Sequence, residues 1–182
     1  MKKIIVRADD LGYSKGVNLG IEESVRNGII RSVGFMTNMP ESRSGYDLIK
    51  DLDVCLGQHT NNCVGKPLCD PKDIPSLVGE NGEFKSSKTY RSAKEDFVNL
   101  DEVILEIEAQ YEKFKEITGK EPAYFEGHAV ASDNFFKGLE IVAKRHGLDY
   151  LGMSFTGKVP FRNEEVLMCM DSMNKEYDPA AF

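Results

Sequence analysis

Two adjacent carboxylates, Asp9 and Asp10, close the apolar run Ile4-Ile5-Val6-Arg7-Ala8 and lead into Leu11-Gly12 near the N-terminus. Two of the three histidines, His59 and His128, end other short apolar stretches, residues 53–59 and 122–127. One carboxylate and two imidazoles suffice to hold a divalent metal ion while leaving positions open for water and substrate. A second carboxylate beside them is free to act as a base. A single histidine at a strand end is commonly a hydrogen-bonded structural residue. The coincidence of two such histidines with an Asp-Asp pair is what makes a metal site worth testing.

Those residues meet only if the intervening chain brings three strand ends together. Parallel strands joined by right-handed helical crossovers do this, because their C-terminal ends share one edge. The pattern fits. Residues 4–12 read as a buried strand, and residues 15–28 as an amphipathic helix capped by Ser14 and stopped by a left-handed Asn27-Gly28. Residues 32–37 form a second strand, 41–52 a helix after Pro40, and 53–59 a third strand ending on His59. A long helix from Leu100 carries Val103, Ile104, Ile107, Tyr111, Phe114 and Ile117 on one stripe; Asn99 and Glu102 stand at capping-box spacing, and Gly119 ends it. A strand over 122–127 delivers His128, and a helix over 134–146 with Gly147 as its cap precedes a short strand at 149–152. His146, at that helix's C-terminal end, reads as a solvated cap favoured by the dipole. Residues 166–170 suggest one more strand, and residues 177–182 a frayed tail.

Residues 60–99 break the alternation. Pro67, Pro71, Pro75, several glycines and scattered charges leave no sustained period, so this stretch is expected to be a long irregular loop over the site, with mobility as the other reading.

Composition narrows the function classes. With 182 residues, 41% of them hydrophobic, the chain is expected to form one domain. A net charge of -7 without a Lys/Arg cluster argues against nucleic acid as the main partner and for a small molecule or sugar. No signal-peptide pattern opens the chain, and no apolar run approaches the roughly 18 residues of a membrane span, so a soluble, cytoplasmic protein is expected. Cys55, Cys63, Cys69 and Cys169 lack CxxC spacing and read as reduced thiols.

Three blocks, Ala8-Asp9-Asp10-Leu11-Gly12-Tyr13-Ser14, then Gly57-Gln58-His59-Thr60-Asn61 with Gly65-Lys66-Pro67-Leu68, then Glu126-Gly127-His128, resemble the YdjC-like carbohydrate deacetylases, which include the chito-oligosaccharide deacetylases. The resemblance covers about residues 2–152. It implies an α/β fold, a TIM-like incomplete (β/α) barrel with parallel strands and outer helices. It also implies one divalent ion, magnesium or zinc foremost, on Asp10, His59 and His128, and Asp9 as general base. The implied reaction is hydrolysis of an acetamide on an N-acetylated sugar or chito-oligosaccharide, releasing acetate and a free amine.

The chain also departs from the family. Where the family usually reads Asp-Ser-His with further histidines, this chain has Glu126-Gly127-His128-Ala129-Val130-Ala131-Ser132, and no histidine follows His146. Members usually run longer, and their last part includes a histidine thought to assist the leaving group. The acid here would be water, another residue, or absent. A short chain is compatible with truncation, with a natural form completed by a partner, or with a degenerate member that binds sugar or metal without hydrolysis. An open strand edge would favour a homodimer. Hydrolysis of another bond, such as a phosphoester, would use the same ligands, but no phosphate cradle supports it.

Overall fold

A computed structural model describes residues 5–153 and 157–167. Five parallel strands, β1 (Arg7–Leu11), β2 (Ser32–Phe35), β3 (Cys55–Asn61), β4 (Tyr124–His128) and β5 (Asp149–Tyr150), lie side by side in chain order. Each strand pairs with the next in sequence, so right-handed crossovers place the connecting helices in one layer on one face. That is the winding of a (β/α) barrel; among the described residues the sheet stays open, with β1 and β5 as its edges. The expected α/β, barrel-type architecture is present.

The helices are α1 (Lys15–Arg26), α2 (Ser42–Ile49), α3 (Ser87–Ser92), α4 (Leu100–Thr118) and α5 (Asp133–Arg145). The apolar stripes of α1, α2, α4 and α5 pack on the outer sheet face, where Val33, Phe35 and Phe125 are fully buried among Ile21, Phe114, Phe135 and Leu139. Ser14, Asn99 and Ser132 cap α1, α4 and α5 through their side chains, and Gly119 takes the left-handed conformation that ends α4. No helix among the described residues is long and apolar enough to cross a membrane.

Several local expectations change. Among the described residues the run before Asp9 is not a buried strand: β1 begins at Arg7, and Ile5, ahead of it, is 70% exposed. Helix α1 ends without a left-handed residue, with Asn27 at φ -111° and the Arg31 guanidinium donating to the Val25 and Gly28 carbonyls. Gly28 is held by sterics, since a Cβ there would lie 2.4 Å from the Ser24 carbonyl oxygen. Glu102 does not close a capping box; its carboxylate accepts from the Ser76 amide.

Beyond Asn61, where β3 ends, the stretch to Asn99 is not featureless: its apolar side chains join the core that α4, β4 and α5 build. Ile74 and Leu77 are fully buried, Tyr90 lies on α3, and Val78 bridges Phe84. Buried Glu106 of α4 accepts from the Leu68 and Cys69 amides, while Gln110 exchanges hydrogen bonds with the Asn61 backbone and donates to Glu106. The polar pair thus fastens the loop after His59 to the helical layer. The strand expected at 166–170 overlaps β7 (Glu164–Leu167), which forms a hairpin with β6 (Lys158–Phe161); residues 168–170, Cys169 and the tail at 177–182 lie outside the described residues. Cys55, Cys63 and Cys69 are free thiols.

Candidate metal centre

The inner sheet face, away from the helices, collects polar residues. Gly34, His59 and Glu126 lie toward one another across β2, β3 and β4, with Tyr124 crossing over Gly57 to reach Ser32. On a regular strand Asp9 and Asp10 would point to opposite faces. The β1–β2 register slips between Ala8 and Leu11, where three steps on β1 match two on β2, and Asp10 sits at φ 71°. This bulge turns both carboxylates to the inner face. Gly12 makes the exit possible: at φ 98°, a Cβ there would meet the Met36 carbonyl oxygen at 2.6 Å. The Gly12 amide donates to Asn18, whose side chain in turn donates to the Glu41 carbonyl and ties the first two loops together.

Asp10, His59 and His128 converge as the sequence suggested. Asp10 Oδ1 lies 3.0 Å from His128 Nδ1 and 3.3 Å from His59 Nε2, and the two ring nitrogens are 3.0 Å apart. Asp10 Oδ1 is nonetheless a buried atom without a hydrogen-bond partner. Three electron-pair donors facing one point, one of them unsatisfied, fit a divalent cation.

Proximity to His128 and then His59 holds the Asp10 carboxyl well below the usual carboxylate range. Burial alone would lower the His59 pKa, but the Asp10 and Glu126 carboxylates outweigh it and push the group up to about 10. Without a cation, a proton on His59 supplies the positive charge this cluster needs.

His59 is positioned from its other side, with Nδ1 3.3 Å from Glu126 Oε1. A carboxylate there favours the tautomer whose Nε2 carries the lone pair. Asp9, His59 and Glu126 form a second cluster of ligand type, but Arg7 already provides its cation. The Arg7 guanidinium meets Asp9 through two contacts, Nε to Oδ1 at 2.8 Å and Nη2 to Oδ2 at 3.0 Å, and a third nitrogen pairs with Glu126. Burial works against the Arg7 charge; Glu126 and Asp9 outweigh it and raise its pKa above the ordinary arginine value. Arg7 and Gly34 were not singled out in the sequence, and Glu126 was quoted only as part of the block before His128, with no role. The one available signal was period two, which puts Arg7 on the Asp9 face and Glu126 on the His128 face.

His146 is not in the site. It ends α5 in the helical layer, where Nε2 lies 2.7 Å from Glu108 and the ring stacks 4.0 Å from Tyr111, so it is a half-buried cap that hydrogen-bonds Glu108 and packs on Tyr111.

A family model described as YdjC-like protein matches residues 3–178. Similar proteins include a carbohydrate deacetylase of Thermoanaerobacter pseudethanolicus, 40% identical over 62% of this chain and 45% of that one. A carbohydrate deacetylase of Geobacillus stearothermophilus is 37% identical over 79% and 57%, and a chitooligosaccharide deacetylase of Citrobacter koseri 34% identical over 69% and 48%. A crystal structure from Enterococcus faecalis V583, described as a candidate cellobiose-phosphate cleavage protein, superposes with a TM-score of 0.72 at 25% identity, over 80% of this chain and 57% of that one. The chain spans about half the length of the curated relatives it matches.

Proposed function

The chain belongs to the YdjC-like family, and from that membership we propose that it removes acetyl groups from N-acetylated sugars or chito-oligosaccharides. In this reading Asp10, His59 and His128 hold one divalent ion, magnesium or zinc foremost, and Asp9 is the general base. The observation that carries the proposal is the convergence of those three donors on one point with Asp10 Oδ1 left unsatisfied.

A cation bound there would polarise the acetamide carbonyl and make water more acidic. Asp9, on the same bulge, takes the proton from water at a carboxylate oxygen while the water oxygen attacks the carbonyl carbon. Cleavage of the C–N bond then yields acetate and an amine. His146 lies in the helical layer beside Glu108; in this reading the proton taken up by Asp9 is returned to the leaving nitrogen. Glu126 keeps His59 in its ligating tautomer throughout. Free thiols at Cys55, Cys63 and Cys69 accord with a cytoplasmic setting, and the open edge of β1 with a homodimer, which sedimentation would test.

The direct test supplies N,N′-diacetylchitobiose to the protein loaded with zinc or magnesium and assays acetate. Asp9→Asn should lower release by about a hundredfold or more while metal stays bound, leaving a residual rate that can be measured, and unchanged turnover would remove Asp9 from the base role. Sugar binding without acetate under any metal or pH would make the chain a binding member of the family instead.

A further inference from the structure

The geometry points to Arg7 as a positioning residue that locks the Asp9 carboxylate and the His59 support, Glu126, into one rigid unit. The inference rests on the reading of Asp9 as base, and deepens it.

Three observations carry it. Arg7 and Asp9 stand two residues apart on β1 and so share a face, and the guanidinium takes both Asp9 oxygens while a third nitrogen pairs with Glu126. Glu126 in turn faces His59 Nδ1, so an unbroken chain of contacts runs from Asp9 through Arg7 and Glu126 to His59. The two carboxylates also crowd a single space: a Cβ on Gly34 would lie 2.7 Å from Glu126 Oε1 and 2.8 Å from Asp9 Oδ1. Two like charges at such range need a shared cation to stay there. A planar fork provides it in fixed directions, whereas a lysine ammonium is a point charge that cannot hold all three oxygens at once. With both oxygens gripped, Asp9 cannot rotate, and its remaining lone pairs keep one aim. Arg7 is no ligand and need not touch substrate; it acts through Asp9.

The test is a pair of cycles on the full chain. Arg7→Lys should lower kcat on N,N′-diacetylchitobiose by about tenfold or more, with KM and the zinc dissociation constant each within about threefold of the original. In an Asp9→Asn background the same change should cost nothing further, because the group it positions is gone. A residue that merely supports the fold would lower metal affinity along with kcat and would multiply with Asp9→Asn; either result overturns the proposal. A second cycle needs no activity. The urea unfolding equilibrium of metal-free Arg7→Lys, Asp9→Asn and the double variant should depart from multiplicativity by about threefold or more, and independent effects would refute the clamp. If the original protein releases no acetate but this coupling is present, the deacetylase reading fails and the clamp stands. Should Arg7→Lys not fold, Glu126→Gln severs the same unit from its other end and should lower kcat by at least tenfold; an unchanged kcat there would refute it.

Discussion

Metal affinity should climb with pH in a way set by one buried imidazole. His59 is pushed up to about 10 by the Asp10 and Glu126 carboxylates against the effect of burial, yet only its neutral form can ligate. Between pH 6 and 8 the cation must therefore displace a proton. The sign follows from competition: raising the pH weakens the proton and favours the metal, until the gain levels off near 10. Each pH unit below that is worth about tenfold in affinity, or about 1.4 kcal/mol. From pH 6 to 8 the dissociation constant should fall about a hundredfold. Asp10 does not blur the slope, because its carboxyl is held well below the usual range and stays ionised. Calorimetric titration with zinc in two buffers of different ionisation enthalpy would count the protons, and about one should leave at pH 7. Glu126→Gln removes one of the carboxylates that raise His59, so it should release fewer protons than the original at pH 8. An affinity flat from pH 6 to 8, with no proton released, would refute the placement of His59 in the metal centre.

Three other changes probe separate parts of the structure. Gly34→Ala puts a methyl group where the Asp9 and Glu126 oxygens now lie; urea unfolding should show a loss of about 1–3 kcal/mol, the usual range for overpacking, and calorimetry weaker zinc binding. Glu106→Ala removes the acceptor of the Leu68 and Cys69 amides and of Gln110; a stability loss of about 1–3 kcal/mol is expected from stranded buried donors, with faster proteolysis between residues 62 and 99. His146→Ala should leave acetate release unchanged while lowering the thermal midpoint slightly, since the ring pairs with Glu108 in the helical layer; a large loss of turnover would reassign it to the chemistry.

Strand and helix periodicity were legible because burial on one face imposes them: residues 100–118 show the pattern of α4, and Asp9, Asp10, His59 and His128 fall where the sheet brings them together. The bulge at Asp9-Asp10 was not legible, because register is a property of two strands and cannot be read from one. Arg7 looked like an interruption in an apolar run; its meaning depends on Glu126, more than a hundred residues away. The stretch after Asn61 lacked a period because Ile74, Leu77, Phe84 and Tyr90 bury themselves through turns and one short helix, not along a regular face. Buried Glu106 and Gln110 interrupt the α4 stripe for the same reason, as anchors for that irregular backbone.

The open edge at β1 has a consequence for how the sheet breathes. Among the described residues Asp10 hangs on a strand with a neighbour on one side only, while His59 and His128 lie on interior strands. Strand β2 stands between them and contributes no ligand. A cation shared by these residues would therefore rivet the margin of the sheet to its middle, bypassing β2. Amide hydrogen exchange at Arg7–Leu11 should slow on metal loading far more than exchange in β3 or β4, so the strand that fraying reaches first is the one the metal steadies most.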